Sequence, residues 1–372
     1  MNRNTRIDVL RGVAILMVML LHFTLTYRLG DSPLSVIIPK PWLRAALING
    51  NYGVTMFFVI SGFLITSISM NRYGGLERMN VKGFYAFRFA RITPPLLLAL
   101  AIIVPLGLLG LPSFRNATHG VVLSRGFFLT VVLSILTFWH NVLMALRGYF
   151  NYSLNIYWSL SVEEAFYLAF PLLCVGWKRR RLLIAGCVLA LVAGPIYRQA
   201  YRADEIRFMY GYLACFDAIA LGCLTALLTR RFDLKALRRP WVQAAAALAL
   251  ALTWLWGIDG HEALGFSLVA LGTALLLVGA RSQGEAPEPV RRFPVRLMRW
   301  FGGHSYELYL FHIIVLGLMR DLVPRNALSY GLKLPWLLLY LALSTGVAAL
   351  VAARFSEPMN AALRRRLSPP AT

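Results

Sequence analysis

Residues 9–27 read VLRGVAILMVMLLHFTLTY, an apolar stretch in which Arg11 and His22 are the only basic side chains. Comparable stretches recur along the chain, for example at residues 52–70 and 335–353, and each is long enough to cross a bilayer core of roughly 30 Å. Of the 372 residues, 58% are hydrophobic and 15% are charged, whereas about a quarter of the residues in soluble domains are charged. We therefore predict an all-α integral membrane protein.

The number of spans follows from the distribution of the 38 lysines and arginines. Candidate spans begin near residues 9, 52, 93, 120, 158, 182, 208, 241, 262, 301 and 335. The stretch at 120–140 is doubtful because Arg125 interrupts it. If it does not cross, the cytoplasmic loops hold about twice as many basic residues as the outer loops, and if it crosses, the bias is reversed. This predicts a bundle of about ten transmembrane helices with both termini in the cytoplasm, in a single domain over residues 1–372.

This topology assigns a side of the membrane to each connecting segment. Residues 112–157 become one long outer segment with a re-entrant or surface-lying helix, and residues 355–372 become a cytoplasmic tail. The basic clusters at 178–181 and 230–239 are predicted to be cytoplasmic. The acidic loop at 259–262 is predicted to lie outside.

The net charge of +22 at pH 7 does not indicate a nucleic-acid partner. The basic residues form short clusters between apolar spans, as in a topology signal, and not the continuous patch that nucleic acids bind. The partner that this pattern predicts is the lipid bilayer. No metal site is predicted, because the cysteines lie within apolar stretches without zinc-site or disulfide-framework spacing; they are Cys174, Cys187, Cys215 and Cys223.

The first span carries a second pattern at Asp8, Arg11 and His22. Ionisable groups are costly inside a membrane and are candidate functional residues there. On a helix, Arg11 and His22 are about 20° apart in azimuth and roughly 16 Å apart in depth, and Asp8 lies one turn before Arg11 on the same face. The alternative is that Arg11 anchors the helix at the membrane surface and that His22 forms an interhelical hydrogen bond.

Residues 7–12 read IDVLRG, and ten residues separate Arg11 from His22. Four further stretches follow in the chain: GVTMFFVISGF at 53–63, FYAFRFARITP at 84–94, WSLSVEEAFY at 158–167 and GHSYELYLFH at 303–312. Together they resemble the ordered motifs of the membrane-bound acyltransferase 3 family, including its arginine–x10–histidine signature, over most of the chain. Phe87 and Ala90 stand where that family is often richer in arginine.

The resemblance implies an acyl-CoA-dependent O-acyltransferase without a metal. Such an enzyme moves an acyl group, here expected to be acetyl from acetyl-CoA, from the cytoplasm to a hydroxyl of an extracytoplasmic glycan or glycolipid. It implies polysaccharide O-acetylation as the process and the bacterial inner membrane as the location. Because the last predicted span ends shortly before the C-terminus, we expect no appended extracytoplasmic domain.

A hydroxyl attacks a thioester efficiently when a base takes its proton. His22 can be that base if it is neutral, and the sequence leaves open whether it instead carries the acyl group covalently. Glu163 and Glu164 begin the span near residue 158 from the outside, at a depth comparable to that of His22. One of them is predicted to orient the imidazole or to bind the acceptor hydroxyl. The alternative is that both simply face water.

Arg88 and Arg91 are one helical turn apart, just before the predicted start of the third span near Pro94. With Arg72, they place donors suited to phosphate oxygens in the first cytoplasmic loop. Because CoA carries a pyrophosphate and a further phosphate, we predict that these arginines bind the head of acyl-CoA. The alternative is that they only set the topology.

The remaining candidates support the predicted site. Arg11 is expected to contact the pantetheine arm or to polarise the thioester, with Asp8 fixing its rotamer. Substrate-binding or supporting roles are predicted for Ser61, Trp158, Tyr306 and His312. Helix packing is the alternative for Ser61, and interhelical hydrogen bonding is the alternative for His312. Asp217, buried in a predicted span, needs a partner that the sequence does not identify.

A secondary transporter is the competing hypothesis, in which the intramembrane arginine, histidines and glutamate would line a permeation or proton path. Transporters often show internal repeats, with two helices broken by glycine or proline at corresponding positions. The sequence shows neither feature, which favours the acyltransferase.

Overall fold

The computed structural model describes residues 4–118, 120–175, 180–280 and 292–367. Its helices are, in chain order, α1 (Thr5–Tyr27), α2 (Leu34–Ile37), α3 (Lys40–Ile48), α4 (Asn51–Tyr73), α5 (Val81–Leu108), α6 (Phe127–Leu136), α7 (His140–Arg147), α8 (Trp158–Cys174), α9 (Arg180–Ala200), α10 (Glu205–Tyr210), α11 (Tyr212–Arg231), α12 (Pro240–Trp256), α13 (Gly265–Val278), α14 (Phe293–Gly303), α15 (Ser305–Leu322), α16 (Lys333–Val351) and α17 (Glu357–Leu367). Strands β1 (Ala117–Thr118) and β2 (Val121–Val122) form a short antiparallel ladder. Over the described ranges, the fold is otherwise helical, as predicted.

Within these ranges, six helical segments are long and apolar enough to cross a membrane by length and composition. They are Thr5–Tyr27, Asn51–Tyr73, Val81–Leu108, Arg181–Ala200, Glu205–Arg231 and Tyr330–Leu367. The chain is therefore a multi-pass, all-α membrane protein. The count of about ten spans and the cytoplasmic termini stay predictions. Residues 178–179 of the first basic cluster and 368–372 of the predicted tail lie outside the described residues.

The start of the third span differs from the prediction. The sequence predicts a beginning near residue 93, but α5 begins at Val81 and continues through Pro94 and Pro95. Proline lacks a donor N–H, and membrane helices tolerate it where neighbouring side chains stabilise the altered turn. The carbonyls that lose an intrahelical donor are those of Ala90 and Arg91, four residues before each proline. The neighbouring Ile92 carbonyl accepts from the Tyr306 hydroxyl of α15 at 2.8 Å, which ties α5 to α15 at this turn. The motif at 84–94, called here the basic motif, therefore belongs to a helix and not to a loop.

Contacts divide the chain into two compact units, Met1–Glu77 with Gly176–Ser305 and Arg78–Val175 with Tyr306–Thr372, called here the first and the second unit. In the first unit, α4 and α11 cross with their backbones in contact. A Cβ atom at Gly62 or at Gly222 would lie within 3.0 Å of a carbonyl oxygen of the other helix. Only glycine fits at both positions, so this pair sets the helix crossing.

The first unit also supplies the partner of Asp217 that the sequence did not identify. Arg198 of α9 is fully buried and donates to both carboxylate oxygens of Asp217 of α11, at 3.1 and 2.7 Å. Its other N–H groups donate to the Ser267 hydroxyl at 2.6 Å, to the Ala263 carbonyl at 3.1 Å and to the Ala214 carbonyl. All donors of the guanidinium are therefore bonded. The network links α9, α11 and α13.

In the second unit, both ends of the segment 112–157 lie beside α15. Ser113, which follows α5, donates its N–H and its hydroxyl to Asp321 near the end of α15, at 3.1 and 2.7 Å. Ser159, which follows the segment, lies 2.6 Å from the hydroxyl of Tyr309 near the start of α15. The Ser153 hydroxyl donates to the Ser113 carbonyl at 2.8 Å, so the chain is still at the Asp321 end of α15 at residue 153. The step of about 18 Å along α15 to Tyr309, at a helical rise of about 1.5 Å per residue, therefore falls within residues 154–158. Whether the segment is re-entrant or surface-lying stays a prediction.

The same segment has a polar core of its own. The backbone N–H of His140 donates to the Ser161 hydroxyl of α8 at 3.1 Å, and its Nδ1 lies 2.8 Å from the Ser134 hydroxyl of α6. The Asn151 amide donates to the Asn116 amide oxygen at 2.7 Å. All five side chains are buried. The segment is thus built firmly against α8.

Candidate functional site

The residues of the first motif lie on one continuous helix of the first unit. Along α1, Asp8 is buried, and Arg11 and His22 are half-buried. The Thr26 hydroxyl donates to the His22 carbonyl at 2.8 Å, and the helix continues past both residues to Tyr27. Because the helix is unbroken, Arg11 and His22 share a face with a depth separation of roughly 16 Å.

Helix α14 passes α1 with backbone contact next to Arg11. A Cβ atom at Gly12 would lie within 3.0 Å of the Met298 carbonyl oxygen, and one at Gly302 would lie within 3.0 Å of the Asp8 carbonyl oxygen. The contacting residues are one turn apart on each helix and run in opposite order, so the helices cross antiparallel. Arg11 therefore leaves α1 at the edge of a crossing that glycine fixes.

The candidates on α4 lie in different surroundings. Ser61 is half-buried and precedes Gly62 at the crossing with α11, which agrees with the packing alternative. Arg72 is exposed in the last turn of α4. Gly53 packs against the Ala14 carbonyl of α1. The functional roles of Ser61 and Arg72 stay predictions.

The basic motif meets the motif at 158–167, called here the acidic motif, in the second unit. Nη2 of Arg88 lies 3.1 Å from Oε1 of Glu164, and Cζ of Arg88 lies 3.1 Å from the centroid of the Tyr167 ring. The arginine side chain is 22% exposed and the glutamate side chain 11%. Nε of Arg88 is buried and has no hydrogen-bond partner among the described residues. Buried donors are nearly always bonded in folded proteins, so this N–H marks a candidate ligand position.

This ion pair corrects the predicted separation of the two motifs. The sequence places Arg88 in a cytoplasmic loop and both glutamates near the outer surface, whereas a direct contact puts Arg88 and Glu164 at one depth. Two features explain the difference. Arg88 lies about 10 Å along α5 from its start, and α8 begins only after residues 154–158 have passed along α15 from its Asp321 end to Tyr309. Glu163 is half-buried next to this pair in the sequence, and Arg91 is exposed one turn further along α5.

Two candidates in the motif at 303–312, called here the late motif, form hydrogen bonds to helix carbonyls. Tyr306 bonds to Ile92, as described above. His312 is fully buried, and its Nδ1 lies 2.8 Å from the Leu308 carbonyl oxygen of its own helix. A carbonyl only accepts, so Nδ1 carries the proton, and Nε2 is the acceptor of the neutral ring. The bond lies within α15 and not between helices, so both the predicted substrate-site role of His312 and the alternative of interhelical hydrogen bonding stay predictions.

The acidic and late motifs are also joined through hydroxyl groups. Trp158 is buried at the beginning of α8, and Ser159 follows it. The Tyr309 hydroxyl donates to the Ile156 carbonyl, and its single proton is thereby used. The Ser159 hydroxyl must therefore be the donor in its 2.6 Å contact with Tyr309. This chain fixes the start of α8 against α15.

The acyltransferase-domain model of the acyltransferase 3 family matches residues 4–353. The chain belongs to this family. Two of its relatives are found in Staphylococcus aureus. A protein of strain COL with the name "Putative O-acetyltransferase" is 23% identical over 339 residues, which cover 85% of this chain and 51% of that protein. The O-acetyltransferase OatA of strain NCTC 8325 is 24% identical over 295 residues, which cover 73% of this chain and 47% of OatA.

This acyltransferase 3 chain spans about half the length of the curated relatives it matches. No solved structure matches it. Among the described residues, no group of three or more histidine, cysteine or acidic side chains could hold a metal ion.

The sequence did not single out Tyr167 or Ser159, although both lie within the acyltransferase motif at 158–167. Tyr167 follows Glu164 by one helical turn, so helical spacing contained a signal for it. No local signal exists for the contact of Ser159 with Tyr309, because 150 positions separate the two residues in the chain.

Proposed function

We propose that the chain is an O-acyltransferase of a bacterial inner membrane, which transfers acetyl from cytoplasmic acetyl-CoA to a hydroxyl of an extracytoplasmic glycan or glycolipid. The family and the name of its relative OatA support this reaction class. The proposal includes about ten spans with both termini in the cytoplasm, acting as one functional domain, in keeping with the bias of the basic residues.

The observation that carries the proposal is the contact of Arg88 with Glu164. It joins two motifs that are 76 positions apart in the chain and leaves Nε of Arg88 buried without a partner among the described residues. A guanidinium is planar, and its N–H groups fit phosphate or carbonyl oxygens. Nε is thus available for an oxygen of the acyl donor while Nη2 holds Glu164.

Each of the other arginines that the sequence predicts as a donor ligand is proposed for its own surroundings. Arg91 and Arg72 are exposed and suited to the phosphates of CoA. Arg11, half-buried beside the α1–α14 crossing, is proposed to contact the pantetheine arm or the thioester. Asp8 precedes it by one turn and is proposed to fix its rotamer.

We assign the general base to His22. The neutral imidazole takes the proton of the acceptor hydroxyl while the hydroxyl oxygen attacks the thioester carbonyl carbon. The new C–O bond forms, the C–S bond breaks, and the CoA thiolate leaves and receives the proton from the imidazolium. Glu163 is proposed to bind the acceptor hydroxyl, because its neighbour Glu164 is already bonded to Arg88.

The direct experiment is an assay of the purified protein in lipid nanodiscs with radiolabelled acetyl-CoA. We expect release of the CoA thiol and, with glycan acceptors present, transfer of the label. His22→Ala should lower turnover about 10²- to 10⁴-fold while donor binding is nearly preserved. Arg11→Lys should not restore the activity lost in Arg11→Ala, because an ammonium cannot replace a planar fork.

Two outcomes would contradict this assignment. A folded His22→Ala protein that acylates at the parental rate would show that the histidine is structural. A parental protein that neither binds nor consumes acetyl-CoA would reject the enzyme itself. The acceptor class is tested separately, by comparing the glycan masses of a deletion strain and its parent.

A further inference from the structure

The C-terminal helix α17 is part of the second unit and packs along α5. The sequence predicts a cytoplasmic tail at 355–372, but Ala352–Ser356 form a π-helical turn, after which α17 runs along α5. Such turns within longer helices occur frequently at functional sites. Helix α17 also lies beyond the residues 4–353 that the family model matches. The family match therefore gives no information about its role.

The contact of α17 with α5 involves an arginine next to the proposed donor site. Cζ of Arg364 lies 5.0 Å from the centroid of the Phe87 ring, within the range of a cation–π interaction. Phe87 directly precedes Arg88 and lies one turn before Arg91 on α5. The guanidinium of α17 is thus held on the face of α5 that also carries Arg91, one of the arginines that we propose as donor ligands.

Positive charge converges on this surface from two helices. Apart from Arg88, which is paired with Glu164 of α8, the basic side chains of α5 and α17 are Lys82, Arg91, Arg364, Arg365 and Arg366. The only acidic side chain on these two helices is Glu357, in the first turn of α17 and far from its basic last turn. Like charges repel one another, and a polyanion between the helices would relieve this repulsion.

The surface is more elaborate than a topology signal requires. Basic residues that only mark the cytoplasmic side need to be exposed and no more, whereas Arg364 is half-buried against Phe87. One turn earlier on the same face, Asn360 has a buried amide oxygen without a hydrogen-bond partner among the described residues. Rotation of this amide would turn its NH₂ group, a double donor, toward a phosphate oxygen.

We propose that α17 and the first turns of α5 form a phosphate-binding surface for the nucleotide end of acyl-CoA, with Arg364 and Arg365 as ligands. This inference rests on the proposed function and deepens it. CoA offers a pyrophosphate and a separate ribose phosphate, and guanidinium groups bind such oxygens through charge-assisted hydrogen bonds. Helix α17 makes and breaks no bond; it binds and orients the donor.

The test measures ligand binding by the whole protein in nanodiscs of neutral phosphatidylcholine. The ligands are CoA, dephospho-CoA, which lacks the ribose phosphate, and pantetheine, which lacks the nucleotide. Arg364→Gln should weaken CoA binding about tenfold, the effect of one lost charge-assisted contact, and should leave pantetheine binding unchanged. The pair Arg365→Gln/Arg366→Gln changes only exposed side chains and should act in the same direction without affecting folding. Arg147→Gln, which removes an exposed charge elsewhere in the second unit, is the matched control.

The outcomes separate the two proposals. Parental CoA affinity in both α17 variants would overturn this inference and leave the proposed function intact. The same would follow if both variants kept parental affinity for CoA and lost affinity only for a short-chain anionic phospholipid, because the phosphate source would then be a lipid headgroup. Failure of the parental protein to bind CoA at all would instead reject the proposed function, and this inference with it.

Discussion

Each unit of this protein contains an arginine–carboxylate pair within a helical bundle, and the two pairs are built in opposite ways. In the first unit, the side chains of Arg198 and Asp217 are 0% and 4% exposed, and every guanidinium donor is bonded. In the second unit, the side chains of Arg88 and Glu164 are 22% and 11% exposed. Nε of Arg88 is buried without a partner among the described residues.

The difference separates a structural pair from a candidate site. A guanidinium whose donors are all bonded has none left for a ligand, so Arg198 serves as a link between helices. An open buried donor lowers stability, and such a group is expected where a ligand completes it. Intramembrane charge alone therefore does not identify a functional residue in this chain. We expect the bonding state of the guanidinium donors to distinguish these two arginines.

The largest expected effect is on stability, at the fully bonded pair of Arg198 and Asp217. Arg198→Met leaves Asp217 buried without its partner, and breaking a buried pair in this way costs about 3–5 kcal/mol. We expect little folded protein, measured by thermal unfolding and by the elution profile in detergent. Arg198→Met/Asp217→Leu removes both charges and should recover much of the lost stability, since apolar replacements of buried pairs are often neutral. A stable but inactive double variant would show instead that this pair is functional.

The next effect is on activity, at the pair of Arg88 and Glu164. This pair is called here the open pair because Nε of Arg88 has no partner among the described residues. Arg88→Gln should reduce kcat/KM for acetyl-CoA about 10- to 100-fold, equivalent to the roughly 1.5–3 kcal/mol of a hydrogen bond to a charged group. Thermal stability should fall less than in Arg198→Met, because the Arg88 side chain is already 22% exposed. Arg147→Gln again serves as the control. If Arg88→Gln unfolds the protein while retaining activity per folded molecule, the contrast between the two pairs is wrong.

Much of the architecture could be predicted from the sequence. Hydropathy indicated a multi-pass helical protein, and the placement of Arg11 and His22 on one face required only that α1 be continuous. The partner of Asp217 could not be predicted. Arg198 lies near the end of an apolar stretch, where an arginine resembles an interfacial anchor, and the contact depends on how α9 packs against α11.

The depth of a residue along the helix bundle was the second property that could not be predicted from the sequence. Hydropathy marks where apolar stretches begin and end, but it does not show that residues 154–158 pass along α15 from its Asp321 end to Tyr309 before α8 begins. For this reason Glu164 was predicted too far from Arg88. Nor does a basic C-terminal stretch distinguish a free tail from a packed helix such as α17, because that choice depends on the contact with Phe87.

A smaller effect is expected from the carboxylate of the open pair. Glu164→Gln keeps an acceptor oxygen for Nη2 of Arg88 but removes the negative charge. We expect a loss of several-fold in kcat/KM, and a double-mutant cycle with Arg88→Gln should give a coupling energy of about 1 kcal/mol, within the range for residues in direct contact. Strictly additive losses in the cycle would mean that the two side chains act separately, and the ion pair would then be incidental to the activity.

The smallest expected effect is at Tyr167, whose aromatic ring lies beside the Arg88 guanidinium. It tests whether this ring holds the guanidinium in place. Arg198 is fixed by its hydrogen bonds, whereas Arg88 has Glu164 on one side and the Tyr167 ring 3.1 Å from its Cζ. A cation–π contact contributes about 0.5–2 kcal/mol, depending on its exposure. Tyr167→Phe keeps the aromatic face and should behave like the parent, while Tyr167→Leu should raise the KM for acetyl-CoA a few-fold with kcat changed less. Equal KM values for the Phe and Leu variants would show that the ring does not position the guanidinium, and a loss in Tyr167→Phe alone would assign the role to the hydroxyl.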